Sequence, residues 1–244
     1  MTKLRVDIWS DIACPWCYVG KARFDKAVQQ LEGKVEVEVR HRSFELDPHR
    51  EPGDVDAVVP MIAKKYGISP AQAQANEYKL GDLAKAEGLA YRTEGRDHGN
   101  TFDLHRLLHL ASERGLEAEA WKAFYIANFA DEASVFERER VIEVAVAAGL
   151  DKDEVVAVLD DPAAYREAVR ADEAEAAALG ATGVPFFVVD EKYGVSGAQP
   201  TELFAEILEK AWGEKKPSLT TINGADDAEA CGPDGCAIEQ PPQA

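Results

Sequence analysis

The sequence predicts an α/β fold in which one sheet is split into two halves, β-α-β and β-β-α, by a large all-helical insertion. Three observations lead there. The first 44 residues alternate like a strand, repeat like a helix, then alternate again. Well over a hundred residues of helical periodicity follow. Val184-Pro185-Phe186-Phe187-Val188-Val189 then restores strand composition, with a last helical stretch after it.

Each element has its own justification. In Leu4–Ser10, Val6 and Ile8 alternate with Asp7 and Trp9, a strand pattern. Cys14-Pro15-Trp16-Cys17 follows and opens a helix whose Phe24, Ala27, Val28 and Leu31 recur at helical spacing until Gly33 stops it. From Val35 to Phe44 the valines at 35, 37 and 39 face one way and Glu36, Glu38 and Arg40 the other. Asp47 to Asp54, rich in proline, glycine and charge, is a boundary. Val58, Ile62 and Tyr66 then share a helical face. Ser69-Pro70 reads as a cap and first-turn proline of a helix running to about Gly88. Leu104, Leu107, Leu108 and Ala111 mark the next helix. Trp121, Phe124, Tyr125 and Phe129 mark another, and Val141, Val144, Ala145 and Ala148 a further one. Leu150-Asp151 begins a short helix, and Asp161-Pro162 a last one ending near Gly180. Strand grammar returns at Val184, turns at Asp190–Lys192, and continues through Tyr193–Ser196. Pro200 opens the closing helix, with Leu203, Ile207, Leu208 and Ala211 on one face and an end near Gly213. The expected division is therefore 1–48 and 181–216 as the two halves of the α/β unit, 49–180 as the helical insertion, and 217–244 as a mobile acidic tail.

Composition narrows the function. Among the 244 residues, 27 lysines and arginines stand against 45 acids, a formal net charge of −18. A chain this acidic is repelled by nucleic-acid phosphates and by anionic membranes, and it has no dense basic cluster to offset that. No stretch approaches the ~20 apolar residues of a membrane span. Met1–Gly20 carries Asp7 and Asp11 and lacks the apolar run of a signal peptide. The expectation is a soluble, cytoplasmic protein with neither nucleic acid nor membrane as partner.

In such a protein, paired cysteines point to redox chemistry or to metal. Cys14 precedes a helix, where unsatisfied N–H groups and the positive end of the helix dipole favour a thiolate, and Pro15 suits the first helical position. In Cys-X-X-Cys settings of this kind the pKa falls to ~3.5–7.5. Cys17, one turn further on and nearer the helix interior, is expected to be the more buried partner. It is placed to resolve a mixed disulfide formed at Cys14. The competing reading of Cys14 and Cys17 is half a zinc site completed by Cys231 and Cys236, whose four-residue gap falls within zinc-site spacing.

The strand ending in Cys14-Pro15-Trp16-Cys17 at a helix start, the helical insertion, and Val184-Pro185 opening a later strand together resemble the DsbA family of the thioredoxin superfamily. Cytoplasmic FrnE-like members are the nearest match. Asn100-Thr101-Phe102-Asp103-Leu104-His105-Arg106-Leu107, Gly180-Ala181-Thr182-Gly183-Val184-Pro185 and Ser196-Gly197-Ala198-Gln199-Pro200 resemble the same subfamily, over about residues 4 to 213. The resemblance implies a thioredoxin fold interrupted by the helical insertion. It implies Cys14 as nucleophile, Cys17 as resolving cysteine, and a cis Pro185 opposite them, with Val184 offering its backbone to a substrate strand. It also implies disulfide-containing proteins or peptides as substrates, a thiol donor (glutathione or a thioredoxin-type system), no cofactor, and a setting of oxidative stress. Two departures stand out. Trp16 occupies the place where periplasmic members carry a histidine, which points to a less oxidising disulfide and hence to a reductase or isomerase. The buried acid usual six residues before the first cysteine is Ile8 here, with Asp7 on the opposite face. Asp11 is a candidate proton acceptor for Cys17, although an exposed or capping role is the favoured expectation.

Cys231-Gly232-Pro233-Asp234-Gly235-Cys236 lies outside the resemblance. Its Gly-Pro and Asp-Gly steps favour a turn that brings the sulfurs together, and it reads either as a second, subordinate redox pair or as an isolated tail disulfide. Two rivals to the oxidoreductase remain: a glutathione-using isomerase or transferase of the kappa/chromene-carboxylate type, and a metal-binding or holdase protein using all four cysteines. His105, His109 and Glu113 share a helix face, but no metal site is assigned to them.

Overall fold

The middle of the sheet is the first strand, β1 (Leu4–Ser10), whose two faces are both covered. The computed structural model describes residues 3–215 and the backbone of Cys231–Gly232 and Gly235–Cys236. β1 pairs in parallel with β2 (Val37–Ser43), from Leu4 opposite Val37 to Ser10 opposite Ser43. Parallel neighbours need a crossover, and α1 (Pro15–Gln30) supplies it. On its other side β1 runs antiparallel to β5 (Phe186–Val189), which forms a hairpin with β6 (Tyr193–Ser196). The strand order is β2-β1-β5-β6.

Alternation along β1 decides which layer each residue joins. Leu4, Val6 and Ile8 pack with Phe24 and Ala27 of α1, Phe187 and Val189 of β5, and Phe204 and Leu208 of α9 (Thr201–Lys215). The rings of Phe24, Phe187 and Phe204 meet with centroids 5.5, 5.6 and 4.6 Å apart. Trp9 points the other way and packs with Phe186, Val188 and Ala176 of α8 (Arg166–Ala178). So α8, the last helix of the long helical stretch, covers the second face of the sheet. The Trp9 Nε1–H donates to the Asp172 carbonyl at 2.8 Å and ties strand to helix.

Between the two halves run β3 (Asp56–Ala57), α2 (Val58–Tyr66), α3 (Pro70–Ala86), β4 (Asp97–His98), α4 (Phe102–Glu113), α5 (Glu117–Phe129), α6 (Arg138–Ala147) and α7 (Lys152–Asp160). The leucines of α4, the aromatics of α5 and the valines of α6 and α7 form a second core. That core also takes in Ile12, Cys14, Cys17 and Tyr18. The cysteine motif therefore lies where the sheet unit meets the helices.

Four local expectations need correction. β3 and β4 pair Asp56 with His98 and Ala57 with Asp97 inside a stretch read as purely helical. Two-residue strands carry no periodicity to read. β2 begins at Val37, because the N–H groups of Lys34 and Val35 still bond back to the Leu31 carbonyl around Gly33, φ +77°. The helix expected from Asp161-Pro162 starts at Arg166. The Asp161 carboxylate holds the Ala163 N–H at 2.9 Å, and Tyr165 adopts φ +58° before the helix begins. The closing helix runs through Gly213 to Lys215. In the tail, β7 (Cys231–Gly232) and β8 (Gly235–Cys236) set Cys231 opposite Cys236 in an antiparallel backbone pair. Their side chains, and the rest of 217–244, lie outside the described residues.

Candidate active site

Cys14 is the N-cap of α1, with φ −89° and ψ 109°, and Pro15 follows in the first turn, where a missing N–H costs nothing. The Cys17 N–H donates to Cys14 Sγ at 3.3 Å. The Cys14 carbonyl accepts from Cys17 and Tyr18. Both cysteines are free thiols. Cys17 is fully buried and Cys14 is 3 % exposed, while Trp16 between them is 45 % exposed and stands on the outer side of the motif.

Folding brings a residue 170 positions away to the same spot. The Cys14 thiol donates to the Val184 carbonyl at 3.6 Å, and the Val184–Pro185 peptide bond is cis. Pro185 is held from two sides. The Gly197 N–H donates to the Pro185 carbonyl at 2.8 Å, and Gly20 of α1 lies against the ring. A Cβ on Gly20 would sit 3.0 Å from Pro185 Cγ and 3.3 Å from the backbone of Ala198. The Arg23 guanidinium donates to the Ala198 carbonyl and to Glu87, tying α1, α3 and the 196–199 turn together.

Aromatic residues of the helical core wall the inner side. Tyr18 stacks on Phe129 at 5.0 Å and Phe129 on Tyr91 at 5.6 Å, with the Arg96 guanidinium over Phe129 at 4.6 Å. Arg96 is paired with Glu77 at 2.8 Å and with the Tyr91 hydroxyl at 2.7 Å. Burial pushes the Tyr91 phenol well up from its ordinary value, so it remains a neutral hydrogen-bonding group.

Asp11 corrects the expectation of an exposed or capping acid. It is 1 % exposed. Its Oδ1 accepts from the Ala13 N–H at 3.3 Å and lies 3.3 Å from His105 Nε2, and its Oδ2 accepts from the Leu46 N–H at 2.7 Å. Burial alone would raise this carboxyl. The His105 contact, the Leu46 N–H and Thr101 outweigh burial and hold it below the ordinary carboxylate range. The opposite balance holds at Cys17. Burial comes first, then the hydrogen bond and charge of Cys14, and together they push the Cys17 thiol well above its ordinary value. The charge of Asp11 adds to this, and the main-chain amide of Asp11 opposes it.

The other candidates disperse. His105 meets Asp11 and the edge of Trp121. His109 turns to Ser43 and Asp172, and Glu113 accepts from the Tyr165 hydroxyl. Among the described residues no group of three or more His, Cys, Asp or Glu is arranged to hold a metal. Neither Asp11 with His105 nor Tyr91 with Arg96 and Glu77 was legible as a unit. The sequence signal for the first lay in Asn100–Leu107, which resembles the subfamily but does not say which way His105 points.

A family model described as DSBA-like thioredoxin domain matches residues 5–209. The chain belongs to that family. It is an enzyme of the DsbA-like oxidoreductase kind. A probable DsbA oxidoreductase from Streptomyces coelicolor is 64 % identical in sequence, over 97 % of this chain and 100 % of that one, with a TM-score of 0.85. The cytosolic disulfide reductase DsbM of Pseudomonas aeruginosa, solved with GSH, shares the fold at 16 % identity over 84 % of this chain and 98 % of its own, with a TM-score of 0.58. An uncharacterized Bacillus subtilis protein, YwbO, is 29 % identical over 147 residues, 49 % of this chain and 70 % of the relative. Among the described residues of this DsbA-like enzyme, no helix is long and apolar enough to cross a membrane.

Proposed function

We propose that the protein is a FrnE-like cytoplasmic thiol–disulfide reductase or isomerase that acts on protein or peptide disulfides through Cys14 and Cys17. The observation that carries this reading is Cys14 Sγ at the start of α1, receiving a backbone N–H and facing the Val184 carbonyl. In the reductive direction the Cys14 thiolate attacks a substrate disulfide. One sulfur of the substrate joins Cys14 and the other leaves as a thiolate that takes a proton. Cys17 then loses its proton and attacks Cys14 Sγ. The second substrate sulfur leaves as a thiol, and Cys14–Cys17 closes as the disulfide that holds the two electrons' worth of oxidation. Isomerisation stops at the mixed disulfide, and oxidation runs the sequence backwards. Pro185, Val184, Pro15 and Trp16 serve as the surface against which the substrate chain lies. Trp16 in place of a histidine supports a reductase or isomerase over a strong oxidant.

Glutathione or a thioredoxin-type protein restores the dithiol. Cys231 and Cys236, facing one another across a backbone pair, act as a second, subordinate redox pair exchanging with Cys14–Cys17. The domain division at 1–48, 49–180, 181–216 and 217–244 belongs to the same proposal.

The test is a glutathione redox titration with acid quench, alkylation and peptide mapping of all four cysteines. The expected result is a reversible Cys14–Cys17 disulfide at roughly −220 to −320 mV, the range of cytosolic poise. Exchange with the tail would appear as a Cys231–Cys236 or mixed pairing in the same titration. Cys14 and Cys17 remaining reduced or metal-protected throughout would overturn the reading. Retained turnover in Cys17→Ser would transfer it to a glutathione-using isomerase.

A further inference from the structure

Glu87 stands where helix physics disfavours it. It is the C-cap of α3, the end at which the helix dipole repels a carboxylate. Two cations of α1 hold it there. Arg23 Nε donates to Glu87 Oε1 at 2.7 Å, and Lys26 Nζ donates to Oε2 at 2.5 Å. The Arg23 guanidinium also reaches a second acceptor, 175 positions along the chain. Its Nη1 donates to the Ala198 carbonyl at 2.8 Å. The Arg23 side chain is only 18 % exposed, so water competes weakly for these bonds.

From Ala198 the connection runs inward to the sulfur. Gly197, at φ +81°, donates its N–H to the Pro185 carbonyl at 2.8 Å. Gln199 closes the same turn. Its N–H donates to the Gly197 carbonyl at 2.9 Å and its side-chain amide to the Ser196 carbonyl at 2.7 Å. Pro185 follows Val184, whose carbonyl accepts the Cys14 thiol at 3.6 Å. Beyond Glu87 the chain turns at Gly88, φ +82°, and leads to Tyr91 of the aromatic wall. One guanidinium therefore refers both the Val184–Pro185 loop and the helical wall to α1, the helix that carries the cysteines. A planar fork with donors in fixed, separate directions suits this task, and a single ammonium does not.

We propose that Arg23 is a positioning residue for the substrate chain, holding the Val184–Pro185 loop where a substrate strand can engage it while its disulfide meets Cys14. This rests on the dithiol reading above and adds a determinant of substrate size to it. Arg23 donates to Glu87 and Ala198 and not to either sulfur. It therefore acts on the binding of extended chain rather than on the exchange of sulfurs. A peptide that pairs with Val184 needs the loop in place. A small disulfide that reaches only Cys14 does not.

The experiment uses the full chain carrying Cys231→Ser and Cys236→Ser, reduced, with two disulfides in a stopped-flow instrument. One is 5,5′-dithiobis(2-nitrobenzoate), which has no peptide backbone. The other joins two short peptides, one bearing a fluorophore and its partner a quencher. Arg23→Met should raise the peptide concentration for half-maximal rate by about tenfold, with the limiting rate changed less than about twofold. Its rate with the nitrobenzoate disulfide should stay within about twofold of the parent. A parental half-saturation for the peptide, or an equal loss with both disulfides, would overturn the assignment. Arg23→Lys keeps the charge without the fork, and it decides the matter if Arg23→Met does not fold by circular dichroism. A raised half-saturation there supports the role, and a parental value refutes it. A parent inert toward both disulfides would refute the dithiol reading and the assignment with it.

Discussion

At residue scale, Gly20 shows how a position far from the chemistry in role can sit against it in space. Gly20 lies inside α1, where glycine is a poor helix former, yet its missing Cβ leaves room for Pro185 and Ala198. Alanine there improves helix propensity but presses on the Pro185 ring and on backbone that Gly197 and Arg23 hold in place. The expected result for Gly20→Ala is a net loss of about 1–3 kcal/mol in urea unfolding, together with slower disulfide exchange. A neutral or stabilised variant would show that the turn gives way. Titration makes a second residue-scale prediction. The lowered Asp11 carboxyl contributes stability above the ordinary carboxylate pKa of about 4, and that contribution is lost as pH falls through its folded value. The raised Cys17 thiol contributes below an ordinary thiol pKa of about 8.5, and that contribution declines above it. Stability measured against pH should therefore fall on both flanks, and Asp11→Asn should flatten the acid flank relative to the parent.

At element scale, the edge strand β2 is the feature to explain. An open strand edge invites pairing with other chains. Here carboxylates from two helices cap it. Glu117 of α5 accepts the His41 N–H at 3.3 Å and contacts its ring Nδ1 at 3.1 Å. Asp172 of α8 accepts the Ser43 N–H at 2.9 Å and the Arg42 guanidinium at 3.1 Å. The same residue receives Trp9 on its carbonyl. Asp172→Ala leaves the buried Ser43 N–H without its acceptor. It should cost about 1–3 kcal/mol in chemical denaturation, with α8 losing amide-exchange protection before the rest of the molecule. Uniform loss of protection would mean that α8 is not held separately. The helices themselves were largely readable. Ser69 and Gln72 form a reciprocal capping box ahead of α3, as Ser69-Pro70 suggested. Tyr165 and the short β3–β4 pair were not readable, because a single left-handed residue or a two-residue ladder leaves no period.

At the scale of the whole molecule, the charge of −18 acts on every encounter. Glutathione carries net negative charge, whereas cysteamine is cationic. Surface repulsion and attraction reach across a Debye length of about 30 Å at 0.01 M ionic strength and about 8 Å at 0.15 M. Reduction of the Cys14–Cys17 disulfide by glutathione should therefore speed up as salt is added, and reduction by cysteamine should slow down. Equal salt dependence for both thiols would show that local charge near Cys14 outweighs the total.

The sequence by itself determined the order of the longer elements, the split of the sheet by helices, the cysteine pair at a helix start, and the cis bond at Pro185, the last through resemblance. These are properties of local pattern, and local pattern is written in neighbouring residues. Only the tertiary structure decided what meets what. It turned α8 from a member of the helical stretch into the second covering layer of the sheet. It brought Val184 to Cys14 and Gly20 to Pro185. It buried Asp11 against His105, where the sequence had favoured an exposed or capping acid and had left His105 on a helix face shared with His109 and Glu113. The physical reason is common to all of these. Each depends on a contact between segments far apart in the chain, and periodicity carries no information about which distant partner removes a given side chain from water.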